Sequence, residues 1–288
     1  EAARSFDPEK ILERNERQDL SDETIITIDP DDARDFDDAI SLRVLRHQRG
    51  RGEGANADAG EPAPEMDSLM AGEAVYELGV HIADVSHFVS TESPMDLEAR
   101  ARGNSTYFPR YVIPMLPEIL SNGVCSLQEG VYRLTKSAFI RYDARGNVVA
   151  TRFANTVIKS AKRLTYTQAQ AIIDDAKGEG RPYSKGLLES PPNPNVPDVP
   201  ANVRELLVNM DRLARAIRQR RLEAGMMVLD LPEVELVMDG EGHVIDARPE
   251  DDAFTHKIIE MFMVEANEAV ARWLTRHDIP VLRRVHPE

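Results

Sequence analysis

Cysteine is nearly absent: Cys125 is the single one in 288 residues. A lone thiol closes no internal disulfide and builds no cysteine zinc centre, so a disulfide-stapled fold and a zinc ribbon are both excluded. A buried, reduced thiol is expected instead, which fits a reducing compartment and a cytoplasmic protein. No apolar run approaches the roughly 20 residues that a membrane-spanning helix needs, so no membrane partner is expected. The opening EAARSFDPEK has neither the basic start nor the apolar core of a signal peptide, and no initiator Met. It reads as a cut end. The other end, VLRRVHPE, brings no closing helix or tail, so the chain reads as a fragment. Positive charge is also scarce, with 35 Lys and Arg against 50 Asp and Glu and a net charge of −15. A general nucleic-acid binder carries a basic footprint. A local basic groove stays possible, because steering depends on where charges sit.

What is present is a chain that is 42% hydrophobic, enough for one large core or two smaller ones. Residues 1–23 form a charged lead-in. Ile25 to Asp29, followed by Pro30, reads as a short strand ending in a turn. Ala39 to Leu45 alternates and reads as a second strand. His47 to Gly72 is rich in Gly, Ala, Pro and Glu and reads as a flexible insertion, about 47–73. Tyr76 to Val89 begins as a buried strand. A helix is predicted over Pro94 to Arg102, with Ser93 as N-cap and Gly103 ending it. Ala138 to Tyr142 and Val148 to Ile158 form a hairpin around Arg145-Gly146-Asn147, and a helix follows from Thr167 to Ala176. A Gly- and Pro-rich loop spans 177–202. Helical spacing returns over Val203 to Glu223, ending at Gly225. Strands are predicted over Met227 to Leu236 and His243 to Arg248, then a long helix over Phe254 to Arg276. This pattern predicts an α/β (α+β-like) fold, a mixed β-sheet core flanked by helices.

One segment carries chemistry. Six of the ten residues from Asp29 to Asp38 are Asp. Such charges repel one another and gain nothing from helix or strand propensity. They persist either as a solvated acidic turn or around a cation. Magnesium takes oxygen ligands, typically one or two carboxylates with water and substrate phosphates, and two such ions can cleave a phosphodiester. A calcium loop of the EF-hand kind fails, because its sixth and twelfth positions would be Arg34 and Ile40 instead of Gly and Glu. A paired-carboxylate acid–base site would need only two acids, well separated in sequence. Apolar residues flank the run (Ile25, Ile26 and Ile28 before it; Ala39, Ile40 and Leu42 after), and Ala33 and Phe36 sit inside it. That pattern favours a run pinned against a core.

The run Thr27-Ile28-Asp29-Pro30-Asp31-Asp32-Ala33-Arg34-Asp35-Phe36-Asp37-Asp38-Ala39 resembles the signature of the RNB family of exoribonucleases, which includes ribonuclease II and ribonuclease R. Further blocks are similar in order: Gly79 to Ser86, Ala99 to Pro109, Val112 to Pro117, Leu120 to Leu127, Arg163 to Tyr166, and His256 to Asn267. The resemblance covers residues 24–288 and makes this stretch the N-terminal part of an RNB catalytic domain. It implies 3′-to-5′ hydrolysis of single-stranded RNA to nucleoside 5′-monophosphates by two magnesium ions, with manganese as a substitute. It also implies no action on DNA, and a monomer. By the same resemblance Asp29, Asp35, Asp37 and Asp38 hold the metal and Asp37 is the most critical, while Asp31 and Asp32 fall where the family varies. Tyr107 falls on an aromatic that stacks on a base near the 3′ end, although on its own it reads as a core aromatic. Tyr166 and Glu260 fall on positions that contact the terminal nucleotide.

The chain departs from the family pattern in three places. It ends before a later motif that supplies a catalytic arginine. The flanking cold-shock and S1 domains are absent. Leu229 stands where a second stacking Phe is found. The competing reading is therefore an RNB-like module that binds RNA and cuts weakly or not at all. Other residues read as structural: His81 and His87 as packed histidines, Met226, Met227, Met261 and Met263 as core. The helix arginines (Arg204, Arg212, Arg215, Arg218, Arg220, Arg221) read as a solvated face, with RNA phosphates as the alternative.

Overall fold

A computed structural model describes residues 7, 10–11, 16–45, 75–108, 111–178, 196–228, 234–241, 243–249 and 253–283. The expected insertion at 47–73, most of the loop at 177–202 and Leu229 lie outside the described residues. The strands, in chain order, are β1 (Gln18–Leu20), β2 (Ile25–Asp29), β3 (Asp38–Val44), β4 (Tyr76–Ala83), β5 (Thr106–Phe108), β6 (Tyr111–Ile113), β7 (Tyr132–Tyr142), β8 (Val148–Lys159), β9 (Lys162–Thr165), β10 (Val234–Met238) and β11 (Val244–Pro249). The helices are α1 (Pro94–Arg102), α2 (Tyr166–Lys177), α3 (Ala201–Glu223) and α4 (Phe254–Arg276).

Seven strands make one mixed sheet in the order β1-β8-β7-β4-β3-β2-β9. The two edge strands run parallel to their neighbours, β1 to β8 and β9 to β2, and the inner pairs are antiparallel. Strand alternation sorts the core into two layers. Ile26, Ile28, Ile40, Leu78, Val80 and Ile140 pack with α2, α3 and α4 on one face. Ile25, Ala39, Leu134 and Phe139 pack on the other, beneath short helical turns at Val85–His87 and Ile119–Val124 and the residues that follow them, which bring in Phe88, Leu120, Cys125 and Leu127. β5 and β6 form a separate two-stranded ribbon, and β10 and β11 another.

The local signals explain these bounds. Ser93 Oγ accepts from the Asp96 amide at 3.2 Å, Pro94 opens α1, and Gly103 ends it at φ 77°. Gly146 adopts φ 77° in the β7–β8 turn, and a Cβ there would stand 2.8 Å from the Ile217 amide nitrogen of α3. α2 begins one residue earlier than its apolar spacing suggests, because Thr165 and Gln168 close a reciprocal capping box.

The structure corrects several expectations. The predicted strand from Met227 to Leu236 is displaced: β10 starts at Val234, and Met227 and Val228 belong to no element. Met227 is 85% exposed, so it is not core, whereas Met261 is buried. The α3 arginines are in part the expected solvated face, since Arg212 is exposed, and in part ion-paired. Arg204 binds Asp175 at 2.8 Å, Arg215 binds Asp211 at 3.0 Å, and Arg220 and Arg221 bind Glu265. Cys125 is buried and unpaired, as expected. His81 is fully buried, with Nδ1 2.7 Å from Ser137 Oγ and Nε2 3.0 Å from Ser41 Oγ. Nothing there resembles a metal site.

Candidate active site

The Asp run is the connection from β2 to β3. Asp29 closes β2, Asp38 opens β3, and residues 30–37 make the loop between them. Each end is tied to the sheet. Asp29 pairs with Thr165 across β9, and Asp38 pairs with Ile82 across β4. The Ala83 amide donates to the Asp37 carbonyl at 2.9 Å.

The middle is tied by side chains. Ser126 Oγ accepts from the Phe36 amide at 3.2 Å and donates to the Arg34 carbonyl at 2.8 Å. The Leu127 amide donates to the Phe36 carbonyl at 2.9 Å. From β9, Arg163 Nη2 donates to the Pro30 and Asp31 carbonyls at 2.6 and 3.1 Å. The loop is thus held along its length, as the flanking apolar residues suggest. Asp31, Asp32 and Asp37 are exposed, Asp35 and Asp38 are half-buried, and Asp29 is buried.

Holding these carboxylates together has an electrostatic cost. Burial, then the charge of Asp38, pushes Asp29 up to about 7, with Arg163 opposing. Burial and the neighbouring Asp37 push Asp38 up to about 6. Asp37 is raised by burial and by Asp35. Asp29 Oδ2 is buried without a hydrogen-bond partner. Carboxylates that repel one another and keep an unpaired buried oxygen suit a hard divalent cation, whose charge would reverse that penalty. Among the described residues no group of three or more His, Cys, Asp or Glu is placed to hold a metal ion. Magnesium asks for less than such a cluster, since it is commonly bound through one or two carboxylates with waters and substrate phosphates.

Tyr166 joins this centre at the start of α2. Its hydroxyl is raised to about 12 by burial and by Asp29 and Asp38. Its ring stacks on His256 of α4, with centroids 3.8 Å apart and planes 17° apart. Thr255 Oγ1 donates to the Tyr166 carbonyl at 2.9 Å. Glu260 lies one turn beyond His256 and is exposed, so α4 presents it on the same side. Tyr107 stands apart on the β5–β6 ribbon, opposite Val112 and 67% exposed. It is not a core aromatic. Sequence reasoning quoted His256, Ser126 and Arg163 only inside motifs and gave them no role, because their roles depend on contacts distant in the chain.

A seven-stranded mixed sheet that carries an acidic loop between two of its central strands defines the class of domain. The chain belongs to the RNB family: the RNB domain model matches residues 17–288. It is 36% identical to ribonuclease R of Thermotoga maritima over 94% of this chain and 32% of that protein. Its fold matches Mycoplasma genitalium RNase R in complex with ribose-methylated single-stranded RNA, with a TM-score of 0.77 and 30% identity, over 98% of this chain and 37% of that one. The chain therefore spans about a third of the length of these relatives. It also matches yeast Ssd1, described as a pseudonuclease, with a TM-score of 0.56 and 18% identity over 91% of this chain and 26% of that one. That likeness concerns the fold alone.

Proposed function

We propose that this chain is the metal-binding part of a 3′-to-5′ exoribonuclease that hydrolyses single-stranded RNA to nucleoside 5′-monophosphates with two magnesium ions, manganese substituting. The observation that carries this reading is the pinned β2–β3 loop, which buries Asp29 at the end of β2 within electrostatic reach of Asp35, Asp37 and Asp38 and leaves its Oδ2 without a hydrogen-bond partner. Support comes from the T. maritima relative, named for its ribonuclease activity, and from the M. genitalium relative that holds single-stranded RNA. A module that only binds has no use for such an arrangement, because unneutralised carboxylates repel phosphates.

Asp29, Asp35, Asp37 and Asp38 would hold the ions, and the ions would activate water and steady the leaving oxygen when bound. The chain's own residues position the RNA. Tyr166, with its hydroxyl pKa at about 12, stays protonated at neutral pH and can donate to a phosphate or ribose oxygen. The Glu260 carboxylate, exposed on α4, can accept from a ribose hydroxyl. Tyr107 offers an open face to a base, a contact worth roughly 1–3 kcal/mol that tolerates any sequence.

The test uses the full-length protein and a 5′-labelled single-stranded RNA. Shortening from the 3′ end is expected with magnesium and not with a chelator. Asp37→Asn should abolish cutting and leave RNA binding within about a factor of two, since it removes one ligand charge and no base contact. A wild-type protein that binds the RNA and leaves its length unchanged in magnesium would overturn the enzyme reading in favour of a binding module.

A further inference from the structure

Arg163 reaches toward both ends of the acidic loop. It sits on β9 as the register partner of Thr27, two residues before the Thr165–Asp29 pair. Its Nη2 donates to the carbonyls of Pro30 and Asp31, the two residues that follow Asp29. Its guanidinium carbon lies 5.5 Å from the centre of the Phe36 ring, the residue that precedes Asp37. One planar group thus fixes where the chain leaves Asp29 and where it returns to Asp37. The strand that carries it is itself anchored, because Glu129 Oε2 accepts from the Arg163 amide at 3.0 Å and Glu129 Oε1 from Lys162 Nζ at 3.1 Å.

We propose that Arg163 is the positioning residue of this metal centre. It sets the spacing of Asp29 against Asp37 and Asp38, and through that the affinity for divalent cation. The proposal rests on the nuclease reading above. Three geometric facts support it. The two carbonyls are held by one nitrogen, so their separation is fixed by the guanidinium and not by loop packing alone. Arg163 Nε, Thr27 Oγ1 and Asp29 Oδ2 are the buried side-chain atoms without partners among the described residues, and strand register places all three on the same stretch of β2 and β9. Arg163 therefore keeps a donor in reserve beside the carboxylate whose neighbours it fixes. Finally, a lysine ammonium could donate to the same two carbonyls, but it has no planar face to lay against the Phe36 ring. The contact needs arginine and not merely a positive charge.

The experiment compares wild type, Arg163→Ala and Arg163→Lys in the full-length protein. The first readout needs no activity: the magnesium concentration that gives half of the cation-induced rise in melting temperature without RNA. The second is the single-turnover rate on single-stranded RNA at saturating magnesium. The third is RNA affinity in chelator. Removing a group that orients metal ligands commonly costs 10–100-fold in affinity or activity. Arg163→Ala should therefore shift the magnesium midpoint upward by about tenfold or more and slow the rate by a similar factor, with RNA affinity in chelator unchanged. Arg163→Lys should fold like wild type and recover only part of the midpoint.

An unchanged magnesium midpoint in either folded variant, whatever the loss of melting temperature, overturns the proposal and leaves Arg163 a packing residue. Complete recovery by lysine overturns it as well, since charge alone would then suffice. If wild type responds to magnesium and does not cut, the nuclease reading fails, while the midpoints still decide the role of Arg163. If wild type neither cuts nor responds to magnesium, both fall.

Discussion

A single aspartate shows how the site joins chemistry to stability. Asp29 is buried at the end of β2, and its carboxyl is raised to about 7 by burial and by Asp38. The folded-state value lies above the unfolded value of 3.8, so the folded, metal-free protein binds the extra proton. The destabilisation is complete above about pH 7 and fades as pH falls toward the unfolded value. Magnesium must displace those protons, so its affinity runs the opposite way. The magnesium-induced rise in melting temperature should be large at about pH 8 and nearly gone at about pH 5. Asp29→Asn should melt higher than wild type at about pH 8 in chelator, because a buried charge is gone, and lower than wild type in saturating magnesium. Thermal melts in the two buffers check both signs. A variant that melts lower in both would show that Asp29 holds the fold and not a cation.

At the scale of elements, what was legible followed short-range rules. The bounds of α1 and α4 are visible in the sequence, because caps and apolar spacing are local. β2 and β3 show their alternation, and the Asp run stands out by composition. Edge strands β1 and β9 were not seen: three and four residues of mixed polarity carry no period, and only pairing with β8 and β2 makes them strands. β9 matters most, since it delivers Arg163, Thr165 and Tyr166 to the site. The roles of Ser126 and His256 escaped for the same reason, for they act on residues about 90 positions away. Close approach is equally silent. Gly79 reads as an ordinary strand glycine, yet a Cβ there would fall 2.4 Å from Ser41 Oγ and 2.8 Å from His81 Nε2. Gly79→Ala must therefore push Ser41 and His81 apart in a buried layer. A loss of roughly 1–3 kcal/mol for overpacking is expected, with more from the broken hydrogen bond. Urea denaturation checks it. A neutral result would mean that β3 and β4 can slide apart without loss. The same pocket holds His81 down at about 3. Its folded value lies below the unfolded 6.5, so His81 withdraws stability as pH falls through that window.

Over the whole molecule, the charge balance explains how an acidic chain keeps its cations. The chain sets 50 acids against 35 Lys and Arg, and Arg204, Arg215, Arg220 and Arg221 of α3 are committed to ion pairs. Glu265 of α4 is fully buried. It receives Arg220, Arg221 and the Tyr142 hydroxyl, the last at 3.0 Å, so one carboxylate ties α3, α4 and β7 together. Arg220 also donates to the Gly146 carbonyl at 2.8 Å, which fastens the β7–β8 turn to the helix layer. Breaking one side of a buried ion pair leaves the other uncompensated and typically costs about 3–5 kcal/mol. Glu265→Gln should lose about that much stability by urea denaturation. Arg221→Ala should lose less, because Arg220 still answers Glu265 and the arginine side chain is itself 19% exposed. Neither change should alter the slope of RNA affinity against salt, since neither removes a phosphate contact. The salt slope therefore tests the RNA-phosphate alternative for these arginines. A shallower salt slope in Arg221→Ala would mean that the helix faces RNA after all. An unchanged slope with a lower urea midpoint would mean that these arginines hold the layers together and do not meet the phosphates.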